Sequence, residues 1–294
     1  VNYFGDFGRG YEQAGAAKLD LTQSICNGYT FSGGLVGSGQ HYTIGIYSYT
    51  ISGKPMAMPD GTIYNDSTTL NLKSTGNVFG QIRQVNGSTK CQAANALCAS
   101  GKFVIGRSNT GYTTGTLDLG GFDQDIGAIY NGATATAGDT TIYGTISSAK
   151  PATLTSYDAT SRTVAMKFTG YAGYAHAGSG TYTFINFANT ATNTLSVLAG
   201  GVTLKSGAGF PNAKAVHVAS GATLTVDKTS ESVAFGSAGA SRALMTIEAG
   251  GTLALTDGAA VTVRRLCVGE KGIEPGVYTA GDPANPWLTG SGSI

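Results

Sequence analysis

The chain has 294 residues, of which 12% are charged, 45 are glycine and 7 are proline, and its formal net charge is +1. Charge is about half, and glycine about twice, the share found in an average globular chain. This composition excludes a highly charged disordered tail and gives no electrostatic footing for nucleic acid or an anionic membrane surface; no run of about 18 consecutive apolar residues exists to span a membrane as a helix.

The chain opens at Val1 without an initiator methionine, which reads as the start left after an export signal is removed. Tyr3, Phe4 and Phe7 lie in a polar, aromatic opening segment. His41 to Ile51 alternates as a strand over much of its length, and Lys54 to Gly61 reads as a loop. Helix periodicity is nearly absent throughout. Residues 1–100 read as an irregular β-rich region of decorated first rungs, and 101–294 as regular repeats. The four cysteines, Cys26, Cys91, Cys98 and Cys267, allow three pairings. Cys91 and Cys98 are too far apart for a zinc pair, so the expectation is a disulfide closing that short loop. Cys26 and Cys267 form either a long-range bridge or two free thiols. Low charge, abundant Ser and Thr, and a candidate disulfide together point to an extracellular or cell-surface protein.

A short unit then recurs: Thr69-Leu70-Asn71-Leu72, Thr116-Leu117-Asp118-Leu119, Thr194-Leu195-Ser196-Val197, Thr223-Leu224-Thr225-Val226 and Thr252-Leu253-Ala254-Leu255. Side chains in a strand alternate between faces, so Leu224 and Val226 turn to a core while Thr223 and Thr225 turn to solvent. The stricter form Gly-x-Thr-Leu starts at Gly201, Gly221 and Gly250, intervals of 20 and 29 residues, within the range of solenoid rungs. One such strand cannot bury its apolar row alone; copies stacked about 4.8 Å apart can. At roughly 20–25 residues per rung the chain makes about a dozen rungs. Arg264 and Arg265 fall at a phase break, which turns both outward, with Cys267 outward as well. Pro275 to Ala280 and Leu288 to Ile294 read as two terminal strands around a turn that carries Trp287.

Gly115-Thr116-Leu117-Asp118-Leu119-Gly120-Gly121-Phe122-Asp123-Gln124-Asp125-Ile126-Gly127 resembles the autotransporter-associated β-strand repeat. Ala215 to Leu224 is similar to the second half of the same unit, and Pro275 to Ser293 to the close of such proteins. The resemblance covers about residues 100–294. It implies an all-β, right-handed parallel β-helix exported to the cell surface or beyond, and it brings no shared catalytic motif.

The candidate chemistry is sparse. Asp118, Asp123 and Asp125 form the nearest approach to a carboxylate cluster, a weak start for calcium, which wants six to eight oxygens; their expected role is as surface residues, and no cofactor is expected. His41, His176 and His217 lack metal or catalytic spacing and read as solvated. Ala177-Gly178-Ser179-Gly180 reads as a plain turn. Tyr171, Tyr174 and Tyr182 are candidate contacts for a glycan or a protein partner. The leading expectation is a non-enzymatic structural or surface β-solenoid. It would assemble with itself head to tail into a filament or layer, with Tyr3, Phe4, Phe7, Trp287 and Ile294 at the contact. The alternatives are a glycan-binding adhesin on a host surface and a polysaccharide lyase or hydrolase on the same scaffold.

Overall fold

In a computed structural model the chain is all-β, built from large parallel sheets. The structure describes residues 11–13, 18–20, 29–32, 35–38, 40–44, 48–106, 113–235 and 243–294. The chain divides into two compact units, Val1–Thr134 with Thr141–Leu154, and Ala135–Thr140 with Thr155–Ile294.

In the first unit, one series of strands runs Tyr29–Phe31, Ser48–Ile51, Thr68–Leu72, Gly87–Cys91, Thr113–Asp118 and Ile142–Ser156, which reaches the end of the unit. Another joins Leu35–Gly37, Ala57–Asp66, Val78–Gln84, Lys102–Ile105 and Ala128–Asn131. The pairs are parallel and in register, so like side chains form columns. Tyr49, Leu70, Thr89, Leu117 and Ile146 make one such column, all buried. Ile63, Ile82, Phe103 and Ile129 make another. Each buried aliphatic or aromatic side chain contributes about 1.5–3 kcal/mol, which offsets the entropy of ordering the coil.

Within the segment expected to be a loop, the strand Ala57–Asp66 already begins, and its pairing with Val78–Gln84 slips between Met58 and Thr62. Pro59 sits in that irregular stretch, where a missing backbone N–H is tolerated. The inward row also carries amides. Asn65 donates from Nδ2 to Gln84 Oε1 at 2.7 Å, and Thr89 Oγ1 donates to the same oxygen at 2.7 Å. Buried polar groups are stable when paired in this way.

In the second unit, Met166–His176, Thr194–Val197, Ala215–Val218, Leu244–Ile247 and Arg265–Val268 pair in parallel. So do Arg162–Val164, Thr181–Phe184, Gly201–Leu204, Thr223–Asp227, Thr252–Thr256 and Leu288–Gly290. Tyr174, Leu195, Val216, Met245 and Leu266 form one buried column. Tyr182, Val202, Leu224, Leu253 and Leu288 form a second. The expected Thr-out, Leu-in alternation therefore holds at Thr223 to Val226 and Thr252 to Leu255. Asp227 caps the 3-10 turn Lys228–Val233 by accepting from Thr229 N at 3.0 Å. No helix among the described residues is long and apolar enough to cross a membrane.

Both series of the second unit stop at antiparallel returns. Lys271–Gly272 folds back on Arg265–Val268, and Ile273 N donates to Leu266 O at 2.9 Å. Tyr278 and Ile294 exchange two backbone hydrogen bonds of 2.9 Å, and Ala280 N donates to Gly292 O at 2.8 Å. Of the two terminal strands expected around a turn, only Leu288–Gly290 is a strand; Pro275 to Ala280 meets the closing residues through the antiparallel bridge of Thr279 with Ser293.

Candidate functional site

Three features of the described residues bear on function: a buried polar network, a cleft beside the closing strands, and a threonine-bearing sheet face.

The network lies in the second unit. Ser156, Tyr174 and His176 are all fully buried. His176 Nε2 is 2.9 Å from the Gly180 carbonyl oxygen, which can only accept, so the proton sits on Nε2 and Nδ1 accepts. Ser156 Oγ lies 3.0 Å from that Nδ1 and 2.7 Å from the Tyr174 hydroxyl. The proton direction is thus Tyr174 to Ser156, Ser156 to His176, and His176 to Gly180. Beside it, Tyr182 donates to Asp158 Oδ2 at 3.0 Å, Thr160 N donates to Oδ1 at 2.9 Å, and Arg162 pairs with Oδ2 through Nε.

The electrostatics follow from that packing. Burial pushes the His176 pKa down, against the Gly180 hydrogen bond and the nearby Asp158 charge. Burial also drives the Tyr174 hydroxyl well above its usual range. For Asp158 burial acts upward, but the hydrogen bonds from Arg162, Thr160 and Tyr182 outweigh it and hold the carboxyl low. The expected plain turn at Ala177 to Gly180 closes over this network. A Cβ at Gly178 would stand 2.0 Å from Asp158 O, so the two turns approach as only glycine allows. A Ser–His pair at 3.0 Å has the spacing of a nucleophile and its base. Here both members are sealed from solvent and the far histidine nitrogen faces a backbone carbonyl. The arrangement ties strand to turn.

This placement corrects two expectations. His176 is not solvated: it is 0% exposed and heads the inward column continued by Val197, Val218 and Ile247. Tyr174 and Tyr182 are likewise fully buried and cannot touch an external glycan, whereas Tyr171 is 44% exposed. His217 does turn outward, and its Nε2 lies 2.9 Å from Glu248 Oε1. The expected Cys91–Cys98 disulfide is not formed; Cys91, Cys98 and Cys267 are free thiols. Cys91 points inward in register with Leu72, as a small apolar residue would. Cys98 Sγ lies 3.0 Å from Ser100 Oγ instead. Burial drives the Cys91 thiol up. At Cys98 the Ser100 hydroxyl and the backbone N–H groups of Phe79, Ser100 and Gly101 overcome burial and bring it down. Cys26, Tyr3, Phe4 and Phe7 lie outside the described residues, as does the side chain of His41.

The acidic candidates do not converge. Asp118 Oδ1 accepts from Gly120 N at 2.9 Å and braces its own turn, whereas Asp123 Oδ1 accepts from Thr153 N at 2.7 Å and ties its turn to the strand Ile142–Ser156. No group of three or more potential metal-ligating side chains occurs among the described residues.

The cleft, of about 640 Å³, is lined by Val261, Arg264, Arg265, Ile273, Glu274 and Tyr278 among others. Both arginines are exposed, as the phase break implied, and Cys267 is half-buried. Trp287 is 9% exposed and packs on Tyr278 with ring centroids 6.1 Å apart, so it offers little surface to a partner. Ile294 is half-buried and tied to Tyr278.

The third feature is the outward face of the sheet that runs from Arg162–Val164 to Leu288–Gly290. Thr163, Thr183, Thr203, Thr225, Ala254 and Thr289 stand side by side in register. Two residues back along the strands stand Thr181, Gly201, Thr223 and Thr252. No protein-family model, curated protein or solved structure matches this chain.

Proposed function

We propose that this chain is a non-enzymatic, exported structural protein whose units are right-handed parallel β-helices of the kind that Gly115 to Ile129 resembles. The observation that carries the reading is register. In both units successive strands of a series pair in parallel with strands about a repeat further along the chain, and inward side chains stack in columns. That is how leucine-bearing coils hide their apolar rows on one another. The Ser156–His176 pair supports the non-enzymatic reading, because its hydrogen bonds are spent inside the core. The antiparallel returns at Lys271–Gly272 and Tyr278–Ile294 occupy edge groups that a head-to-tail neighbour would need. They weigh against growth of a filament or layer through those strands, and the protein is proposed as a discrete surface element. The glycan-binding reading keeps only Tyr171 of its three tyrosines.

Three measurements test the proposal together. Sedimentation velocity should give a monomer over a wide concentration range, and end-to-end polymers would overturn that part. Protease treatment of intact source cells should remove the protein, or the medium should contain it; confinement to the cytosolic fraction would overturn export. Incubation with several polyuronates should release no unsaturated uronate; release would replace the structural reading with the lyase.

A further inference from the structure

We propose that the threonine face of the second unit binds ice, the ordered water lattice at a crystal surface. The inference rests on the pairing of six strands and holds whether or not the chain is exported.

The argument starts with spacing. Neighbouring strands lie about 4.8 Å apart, and residues i and i+2 about 6.6 Å apart on one face. The columns Thr163-Thr183-Thr203-Thr225-Ala254-Thr289 and Thr181-Gly201-Thr223-Thr252 therefore form a two-dimensional grid of hydroxyl and methyl groups. The spacing between strands falls close to an oxygen–oxygen repeat on a prism face of hexagonal ice. Ser161 extends the shorter column, its Oγ accepting from Thr181 N at 3.0 Å.

The chemistry fits the same ligand. A hydroxyl both donates and accepts, as a water molecule does. Threonine is stiff about χ1, so the grid is ordered before contact and little entropy is lost on binding. The hydroxyls of Thr183, Thr203, Thr223, Thr225 and Thr252 take no protein partner among the described residues. No charged side chain stands in either column, so no tightly held hydration shell disrupts a lattice. An extended polysaccharide would ask for aromatic rings on which to stack, and the columns hold none.

Facing outward does not by itself demand this composition. In the first unit the matching outward positions are Thr50, Asn71, Lys90, Asp118 and Ser147, with two charges among them. In the other sheet of the second unit they are Ser196, His217, Thr246 and Cys267. Of these, only the two columns of the sheet from Arg162–Val164 to Leu288–Gly290 are both uncharged and dominated by hydroxyls.

The test uses the whole chain, fluorescently labelled and offered to a growing ice crystal, with recrystallisation inhibition and thermal hysteresis as second readouts. The wild type should adsorb and arrest recrystallisation. The double variant Thr203→Lys with Thr225→Lys should lose most of both effects, and Thr246→Lys on the other sheet should keep them. Circular dichroism checks the fold, and Ala254→Lys is a second probe of the same face should the double variant unfold. A wild type that neither adsorbs nor arrests recrystallisation overturns the proposal, as does a folded double variant as active as wild type. Binding to microcrystalline cellulose or chitin that the double variant loses would give the face to a polysaccharide instead. A wild-type dimer that the variant dissociates would give it to a second copy of the chain.

Discussion

His176 holds a neutral ring in a column otherwise built from valine and isoleucine, and the cost of charging it there has a measurable consequence. Its folded pKa lies below its ordinary 6.5. The unfolded chain therefore takes up the proton first as pH falls, and stability declines from about pH 6.5 downward. Asp158 acts in the same sense at lower pH: its carboxyl is held low in the fold, so the stability it contributes is present at neutral pH and is lost as acid protonates it. Denaturant midpoints measured from pH 8 to pH 4 should fall steadily below 6.5, and His176→Phe should flatten the upper part of that slope. Glycine supplies a second residue-scale prediction. Gly120 has φ 64°, and a Cβ there would stand 2.0 Å from Cys91 O. Gly120→Ala should cost about 1–3 kcal/mol by urea denaturation, from strain and crowding together. The thiols should also sort by burial. Under native conditions Cys91 should resist iodoacetamide while Cys267 reacts, as read by mass spectrometry.

At the scale of the strand, the two faces of one segment carry different burdens. Leu224 is fully buried between Val202 and Leu253, so Leu224→Ala should cost about 2–5 kcal/mol in chemical denaturation. The closing returns make a different prediction. Ile273 N donates to Leu266 O, and Ile273→Pro removes that donor and loosens the return. The variant should expose a parallel edge and form higher oligomers in sedimentation velocity where the wild type does not. Strands were also where the sequence was most legible. Thr223 to Val226 announces its two faces by alternation alone, because every second residue is aliphatic. Tyr171 to His176 does not. Its large inward residues are Tyr174 and His176, whose polar atoms mask the pattern, and their burial depends on Leu195 and Val197 in another strand. The cysteine spacing misled for a related reason: seven residues apart in sequence, Cys91 has its side chain committed to the core, in register with Leu72.

At the scale of the whole molecule, each unit is held by contacts between strands a repeat apart, so local opening should spread from the ends of a series inward. Native-state hydrogen exchange should find Gly201–Leu204 and Ala215–Val218, paired on both sides, among the slowest. Lys271–Gly272 and Leu288–Gly290 should be among the fastest. Parallel β pairing at this scale was legible from the recurring Thr-Leu unit. The threonine plane was legible only as single outward residues, since its grid appears when the register of six strands is known. That register also bears on how such a chain can change length. Gly201 lies opposite Thr223, so a tandem duplication of residues 201–222 would deliver one new coil already matched to its neighbours above and below. The closing returns would need no redesign, and a gene could lengthen the protein, and widen its threonine lattice, by copying alone.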